Sequence, residues 1–312
     1  MSAPASLNSN SPSFPGPRPI IVTGPTGVGK SAFAVALAEK IQGEIIGADA
    51  FQIYAGLPIL TAQPVRELLT RVPHHLIGVL GLGESCDAAR YVRLAGKAIR
   101  EVQSRGHVPI LTGGTGLYLK SLTHGLAEIP RVDQGLRANI ASMELPEALA
   151  HLRAADVDAP DQIDIQNPVR VRRALEIVLS TGKPLSAART TWKTPSKDFR
   201  GLVLERDRSD LRLRIAANVD AMFDEGVIEE VRQAGDVGPG ASRAIGFREI
   251  RTLIEAGLSL HECRQELVTA TRRYAKRQLT WCRHQFNFPS INLTSASPPL
   301  DTVMRLIDGL DA

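Results

Sequence analysis

The chain has 312 residues, of which 43% are apolar, and a formal net charge of +4 at pH 7. This length suffices for one large domain or for a core with an inserted subdomain, and a small positive charge permits a polyanionic partner without requiring one. The three cysteines, Cys86, Cys263 and Cys282, form no C-x-x-C pair, and their odd number argues against a disulfide framework. No apolar run approaches the roughly 20 residues that cross a bilayer, so we expect no membrane segment.

The N-terminal segment is rich in Ser, Pro and Asn and lacks the apolar stretch of a secretory signal. That composition predicts a disordered tail over residues 1–18. Together with the cysteine pattern, the lack of a signal leads us to expect a cytoplasmic protein.

Short apolar runs then alternate with amphipathic segments. Ile20–Thr23 is typical of a buried strand and Lys30–Gln42 of a helix. A second strand is predicted over Glu44–Ala48, a helix of 3.6-residue period over Ala88–Arg105, and a third strand over Val108–Thr112. This alternation predicts an α/β fold, in which a parallel sheet carries helices on both faces.

After Gly125 the character of the sequence changes. The next 70 or so residues have helical patterns and no buried strand, Phe199–Leu204 supplies one more strand, and the remainder is helical. The last long helix is predicted to begin at Ser259, where Glu262 completes a capping-box pattern. The predicted domains are the tail (1–18), a core in two segments (19–125 and 199–295), a helical insertion (126–198) and a C-terminal tail (296–312).

A phosphate-binding motif stands between the first strand and the first helix. Glycines let the backbone N–H groups wrap a phosphate, and the following helix presents its positive end. Lys30 adds a full charge, and Ser31 can hold Mg²⁺ directly or through water. The motif predicts a site for a di- or triphosphate with Mg²⁺, against the alternative of a chance glycine-rich turn. Its residues, which match G-x-x-x-x-G-K-S/T, are Gly24, Pro25, Thr26, Gly27, Val28, Gly29, Lys30 and Ser31.

Two further positions follow predicted strands. Asp49 comes where parallel sheets place their ligands, so it can act as a general base or orient an acceptor; an N-cap or solvated turn residue is the alternative. The strand Val108–Thr112 ends in Gly-Gly-Thr rather than in the Asp that P-loop NTPases use for Mg²⁺, so ATP hydrolysis is not indicated. Thr115 in that glycine cluster can contact a phosphate or a base, or can simply cap the next helix.

Basic stretches indicate a nucleic-acid partner. They are Asn167–Arg173, Arg243–Arg248 and Arg272–Arg283, and the last contains no acid and interleaves Tyr274 and Trp281 among five basic residues. Basic side chains bind phosphates, and aromatic rings stack on unpaired bases. The alternative is a solvated helix face with Trp281 in the core. The sequence around His74 and His75 offers no matching set of carboxylates or cysteines, so a metal site is not indicated there.

In their order along the chain, these landmarks resemble the tRNA dimethylallyltransferase family from about Ile20 to Arg283. A P-loop alone would be unspecific, whereas the ordered set is highly specific. The shared segments are the P-loop, Asp49 with Gln52 and Tyr54, Thr61–Pro64, Pro73–Ile77, Gly113–Tyr118, Arg173–Glu176, Ile245–Phe247 and Tyr274–Trp281.

The resemblance implies transfer of a dimethylallyl group from dimethylallyl diphosphate to the exocyclic amine of the adenosine 3′ of the tRNA anticodon, with release of diphosphate. It implies that the P-loop holds the diphosphate, with Lys30 stabilising the growing charge and Mg²⁺ at Ser31. Asp49 would deprotonate or orient the amine, Thr115 would lie beside the reacting centre, and we expect a monomer. The implied tRNA contacts are Asp49, Ala50, Phe51, Gln52, Arg137, Val169, Arg170, Val171, Arg172, Arg173, Arg243, Arg248, Lys276, Arg277, Gln278, Trp281 and Arg283.

The sequence departs from the family pattern at several positions. Asn218 stands where the family generally carries an Arg near the diphosphate, and Arg214, one helical turn earlier, is a candidate source of that charge. Gln63 replaces a common Lys, and Ala50 a common Ser. Three alternatives remain open: a P-loop small-molecule kinase, a tRNA-binding protein that has lost catalysis, and a prenyltransferase of free adenine nucleotides.

Overall fold

The computed structural model describes residues 14–125, 132–188, 198–295 and 298–309. The chain divides into two compact units, one formed by Met1–His124 with Pro195–Ala312 and the other by Gly125–Thr194. The second unit therefore spans nearly the same residues as the helical insertion that the sequence predicts over 126–198.

A parallel sheet is the centre of the first unit. Its six strands lie in the order β3-β2-β4-β1-β5-β6, and every pairing is parallel. The α/β fold with a parallel sheet is therefore confirmed. The strands are β1 (Ile20–Thr23), β2 (Gly43–Gly47), β3 (His74–His75), β4 (Val108–Gly113), β5 (Arg200–Glu205) and β6 (Ser290–Asn292).

Helices account for most of the remaining described residues. The second unit contains α5 to α8, and the first unit contains the others. The helices are α1 (Lys30–Ile41), α2 (Arg66–Arg71), α3 (Ala88–Ser104), α4 (Gly116–His124), α5 (Gln134–Ser142), α6 (Leu145–Ala155), α7 (Pro168–Thr181), α8 (Leu185–Ala188), α9 (Arg208–Asp224), α10 (Val227–Ala234), α11 (Phe247–Ile254), α12 (Leu260–Gln285) and α13 (Leu300–Asp308).

The sheet is buried on both faces. Because side chains alternate along a strand, Ile20 and Val22 pack with Leu37 of α1 in one core, whereas Ile21 packs with Tyr91 of α3 in the other. This explains why β1 is a continuous apolar run rather than an alternating one. The P-loop follows this central strand, so the phosphate-binding motif stands at the carboxyl edge of the sheet.

The predicted strands agree with β1, β2, β4 and β5 to within one residue at each end. The sequence does not predict β3 and β6, the two edge strands. They have two and three residues, too few for any hydrophobic period to be visible. The capping box at Ser259 and Glu262 is present at the start of α12.

The predictions for the two tails need correction. Val303 and Ile307 of α13 are fully buried in the core beside α1, so part of the predicted C-terminal tail is a structural helix. Phe14 is 5% exposed and packs edge-on against Phe199, so the last residues of the predicted N-terminal tail also belong to the core. Each segment is short and mostly polar, with only a few apolar residues, so its composition alone did not indicate a packed element. Residues 1–13, for which disorder was predicted, lie outside the described residues.

The second unit packs its own core. Fully buried Leu152 of α6 meets Val171 and Leu175 of α7 there. Asn167 caps the start of α7 through hydrogen bonds from the N–H groups of Val169 and Arg170. Within the described ranges of the whole chain, no helix combines the length and apolarity needed to cross a membrane.

A buried carboxylate joins three parts of the first unit. Glu44 of β2 is 2% exposed, and it accepts hydrogen bonds from Arg105 at 2.7 and 2.8 Å. The imidazoles of His75, on β3, and His107, just before β4, lie 2.7 and 2.8 Å from the same carboxylate. The Arg105 hydrogen bonds are the largest influence that lowers the pKa of Glu44, to about 2.

We predict that Glu44→Gln lowers the free energy of unfolding at neutral pH by about 3 kcal/mol, since each pKa unit is worth about 1.4 kcal/mol. The folded-state pKa is depressed from 4.5 to about 2, so this stability is complete above pH 4.5 and disappears as the pH falls through about 2. Urea unfolding of wild type and variant across this range measures the difference. A difference that persists undiminished at the acid end would contradict the pKa of Glu44 as its cause.

Candidate functional site

The P-loop conformation depends on its glycines. Gly24 has a φ of 147°, and a Cβ there would lie 2.4 Å from the carbonyl oxygen of Leu204 on β5. Gly29 has a φ of 105° and is the N-cap of α1. A side chain at Gly24 would collide with the backbone of Leu204, and one at Gly29 would be strained by the positive φ. The loop therefore turns tightly from β1 into α1, as the motif predicts.

Lys30 contacts its own loop. Its Nζ donates hydrogen bonds to the carbonyl oxygens of Gly24, at 3.0 Å, and Pro25, at 2.9 Å. Burial is the largest influence on this amine and lowers its pKa to about 8, although the charge of Asp49 acts in the opposite direction. A desolvated cation of this kind gains much by meeting an anion.

A cavity of about 490 Å³ opens beside the P-loop. Its lining joins the motif residues Lys30 and Ser31 to Asp49 after β2, so the structure brings the predicted phosphate and acceptor residues together. The cavity also has an apolar lining, suited to a hydrocarbon group. Apolar lining residues are Phe51, Leu60, Val65, Leu68, Ile77, Met222, Ile245 and Leu267.

Asp49 follows β2 and Thr115 follows β4, and hydrogen bonds join these two neighbouring loops. Asp49 Oδ1 accepts hydrogen bonds from the N–H groups of Phe51, at 2.9 Å, and Gln52, at 3.4 Å, while the carboxylate also lines the cavity. Thr115 Oγ1 accepts the N–H of Ala50 at 2.8 Å. Asp49 thus has both of the roles considered for it, as a turn residue and as a carboxylate facing a cavity.

Tyr274 is a site residue whose position the sequence did not reveal. It lies on α12, lines the cavity, and comes within hydrogen-bonding reach of Thr115 and Gln278. Burial, and then the charge of Asp49, raise the pKa of its hydroxyl, so it stays a neutral donor. The only sequence signal was its aromatic character within a basic helix.

Gln278 requires a correction. It was expected to contact tRNA, but its side chain is 5% exposed and joins the two glycine loops. Gln278 Oε1 accepts the N–H of Thr26 at 2.8 Å, and Nε2 donates to the carbonyl of Gly114 at 3.1 Å. The N–H of Thr26, one of the expected phosphate ligands, is therefore already engaged.

Other residues of the Arg272–Arg283 stretch line an open groove on α12. Lys276, Arg277 and Trp281 contribute to it. The Arg277 guanidinium lies 5.7 Å from the ring centroid of Tyr274. Trp281 is half-buried and packs edge-on against Phe286. This groove has the charge and the aromatic surface expected of an RNA contact.

The charge of Arg283 is compensated, contrary to the inference that this stretch lacks acidic partners. Its guanidinium makes two hydrogen bonds, of 3.0 and 2.8 Å, to Glu205 at the end of β5. Arg243 and Arg248 are exposed, and Arg248 pairs with Glu249 at 3.2 Å. Sequence reading missed Glu205 because it is distant along the chain.

Most of the remaining predicted tRNA contacts lie in the second unit. Arg137 and Arg173 both approach Glu176, at 3.6 and 2.6 Å, and Arg172 donates to the carbonyl of Met143. Arg170 and Val169 are exposed, the latter by 60%. These side chains remain candidates for an RNA contact.

The predicted tRNA contact of Val171 is wrong for its side chain, because Val171 is fully buried in the core of this unit. Helical period explains the result, since one position in such a basic run must face inward. Gln52, in the first unit, uses its amide nitrogen to bind the carbonyls of Thr61 and Ala62, at 3.2 and 2.7 Å, and so shapes the cavity wall.

Arg214 and Asn218 of α9 both line the cavity. Arg214 Nε donates to the carbonyl of Gly27 at 3.0 Å, so its guanidinium is tied to the P-loop. This placement is consistent with Arg214 supplying the positive charge that Asn218 does not.

The oxygen atoms around the cavity suit Mg²⁺. Among the described residues, no cluster of three or more His, Cys, Asp or Glu side chains could hold a metal ion by itself. Mg²⁺ usually keeps waters and binds substrate phosphates with one or two protein oxygens. Ser31 and Asp49, which line the same cavity, match that requirement.

The fold and this cavity define an α/β protein in which a P-loop motif, a carboxylate and an apolar wall line one cavity. A family model described as IPP transferase matches residues 52–285, more than half of the chain. The chain therefore belongs to the tRNA dimethylallyltransferase (IPP transferase) family.

Individual relatives agree with this assignment. The chain is 38% identical to a tRNA dimethylallyltransferase of Akkermansia muciniphila over 93% of its own length and 99% of that protein. It is 43% identical to a tRNA dimethylallyltransferase of Geobacter sulfurreducens, over 85% and 88%.

Solved structures give the same result. The crystal structure of a tRNA isopentenylpyrophosphate transferase from Bacillus halodurans matches with a TM-score of 0.68 and 32% identity, over 94% of this chain and 95% of the other. A eukaryotic dimethylallyltransferase acting on tRNA matches with a TM-score of 0.80 and 25% identity, over 95% and 80%.

We predict that Gln278→Leu lowers the free energy of unfolding by about 2–4 kcal/mol. The variant leaves the N–H of Thr26 and the buried carbonyl of Gly114 without partners, and each such loss costs about 1–3 kcal/mol. Denaturant unfolding measures the change. Gln265→Leu, at an exposed position of the same helix, is the control and should change stability by at most about 0.5 kcal/mol. Equal effects of the two substitutions would refute the bridging role.

Proposed function

We propose that this protein is a tRNA dimethylallyltransferase that takes its prenyl group from dimethylallyl diphosphate and uses Mg²⁺. The acceptor is the exocyclic amine of the adenosine 3′ of the anticodon. The observation that carries the proposal is that Lys30 and Asp49 line one cavity with an apolar wall, in a chain of this family. A diphosphate, a small hydrocarbon and an amine that must lose a proton each find a matching surface there.

Departure of the diphosphate is the step that the P-loop assists. The C–O bond of the donor breaks, its electron pair stays on the diphosphate, and the allylic cation spreads its charge. Lys30 and the N–H groups of Gly27 and of residues 29–31 stabilise the growing negative charge, as prearranged donors do in other enzymes. Mg²⁺, when bound, adds further positive charge on the diphosphate, and Ser31 would hold it.

Asp49 handles the acceptor. As the amine nitrogen bonds to the allylic carbon it becomes positive, and the Asp49 carboxylate accepts the released proton. The hydrogen bonds from Phe51 and Gln52 fix the direction of that carboxylate. Thr115 and Tyr274 lie beside it as neutral hydrogen-bonding groups. The target base has to leave its stack to reach them.

The tRNA would bind mainly through basic side chains that have no strong partner within the described residues. In the first unit these include Arg243, Lys276 and Arg277, with Trp281 available for stacking. In the second unit the exposed Arg170 is the corresponding candidate. A cytoplasmic monomer is the form we propose; its three free cysteines fit a reducing compartment.

A transfer assay tests the function. Labelled dimethylallyl diphosphate, Mg²⁺ and unmodified tRNA with adenosine 3′ of the anticodon are incubated with the protein, beside reactions with AMP or ATP. Label in that adenosine is the expected result. Label on AMP, or consumption of ATP without label in tRNA, would instead support the free-nucleotide prenyltransferase or the kinase. Retained tRNA binding without transfer would indicate a protein that has lost catalysis.

We predict that Asp49→Asn lowers kcat by about 10²- to 10⁴-fold, the usual contribution of a general base. Asparagine can still accept the hydrogen bonds that shape the turn, so tRNA affinity should change by no more than about 3-fold. Single-turnover transfer and filter binding measure the two quantities. If tRNA affinity fell as far as the rate, Asp49 would be a binding residue rather than a base.

We predict that kcat/KM for the prenyl donor is highest below pH 8 and falls as the pH rises above it. The pKa of Lys30 is lowered to about 8, so its charge is present below that pH and lost above it. A bound diphosphate restores the charge, so kcat should change less than kcat/KM, which reports the free enzyme. Lys30→Arg stays protonated throughout. Its rate should therefore lack this decline, and a decline of equal size in the variant would assign the titration to another group.

A further inference from the structure

One buried hydroxyl at the site has no partner. Thr112, the residue before the last of β4, is 8% exposed, and its Oγ1 is fully buried without any hydrogen bond. Seven residues among those described have a buried side-chain nitrogen or oxygen in this condition, and Thr112 is the one of them that lines the cavity. An unpaired buried hydroxyl is costly, so it calls for an explanation.

The orientation of Thr112 follows from the strand. Ile110, two residues earlier, packs in the core beneath α1, so Thr112 shares the face of the sheet that α1 covers. In register, Thr112 stands opposite Val22 of β1 and Gly47 of β2. The P-loop begins two residues after Val22, and Asp49 comes two residues after Gly47. Thr112 therefore lies between the P-loop and Asp49 along this edge of the sheet, on the face that α1 covers.

Thr23 gives an internal comparison. It lies one residue beyond Val22, on the opposite face of β1, and its hydroxyl is fully used. Thr23 Oγ1 donates to the carbonyl of Gly113 at 3.0 Å and lies 3.4 Å from Cys282 Sγ. Two threonines at neighbouring positions of the same sheet edge thus differ: the Thr23 hydroxyl is used within the fold, whereas the buried Thr112 hydroxyl, on a residue that lines the cavity, has no partner.

We propose that the Thr112 hydroxyl binds the diphosphate, donating a hydrogen bond to one of its oxygens at the base of the cavity. Thr112 occupies the end of the strand next to the P-loop strand, where other P-loop enzymes use a carboxylate for Mg²⁺. A neutral donor suits a site whose ligand must leave as a diphosphate anion, because it stabilises the leaving group without repelling it. This inference rests on the proposed function of the cavity as a diphosphate site.

Binding of inorganic pyrophosphate by isothermal titration calorimetry tests the proposal, with and without Mg²⁺. Thr112→Val keeps the shape and removes the hydroxyl. We expect it to weaken pyrophosphate binding about 10-fold, the usual loss for a hydrogen bond to a charged group, and to leave tRNA affinity unchanged. Thr112→Ser keeps the hydroxyl and should bind within about 3-fold of wild type.

Thermal unfolding without ligand supplies a second readout. Thr112→Val should keep or raise the melting temperature, since it removes an unpaired polar group, whereas Thr23→Val should lower it by breaking internal hydrogen bonds. A fall in melting temperature for Thr112→Val like that for Thr23→Val would show an internal partner and overturn the proposal.

The binding results distinguish a failure of the Thr112 role from a failure of the cavity as a diphosphate site. Wild-type affinity in Thr112→Val would overturn the role of Thr112 and leave the diphosphate site intact. A loss confined to titrations with Mg²⁺ would also overturn it, because the hydroxyl would then serve a metal-bound water. If wild type itself bound no pyrophosphate, the proposed function of the cavity would fail, and the role of Thr112 with it.

Discussion

The site depends on close contact between the carboxyl ends of neighbouring parallel strands. A Cβ on Gly113 would lie 2.2 Å from the carbonyl oxygen of Ala48, and one on Gly24 would lie 2.4 Å from that of Leu204. Glycine at these points lets the loops after β1, β2 and β4 meet, with the P-loop beside the end of β5. Lys30, Asp49 and Thr115 come together because of that approach, since each follows a different strand or loop at this edge.

Burial then determines what these groups can do. The sheet is covered on both faces, so the cavity is bordered by protein of low polarity, where charges interact more strongly than in water. Desolvation weakens the hold of Lys30 on its proton, and it keeps Tyr274 neutral. The same desolvation makes an anionic ligand the natural partner of Lys30. The electrostatic character of the site therefore follows from the packing of the helices over the sheet.

The sequence predicted the elements that depend mainly on neighbouring residues in the chain. The strands β1, β2, β4 and β5 were visible as apolar runs, and the P-loop as glycines at a set spacing. Partnerships across long stretches of chain were not visible: Glu205 with Arg283, or Gln278 with Thr26, 252 residues away. Periodicity also could not tell which residue of a basic helix faces inward, as Val171 does. Short edge strands and a packed terminal helix likewise depend on tertiary contacts rather than on any local period.

Several backbone groups of the P-loop form hydrogen bonds with side chains of the protein itself. Lys30 binds the carbonyls of Gly24 and Pro25, Gln278 occupies the N–H of Thr26, and Arg214 holds the carbonyl of Gly27. An anionic ligand of the P-loop would have to replace some of these hydrogen bonds with its own, so its net affinity would be smaller than the sum of its new hydrogen bonds. Gln278 belongs to α12, the helix that also carries Lys276 and Arg277, so this helix is hydrogen-bonded directly to the P-loop. One amide side chain in this way connects the basic helix α12 with both glycine loops.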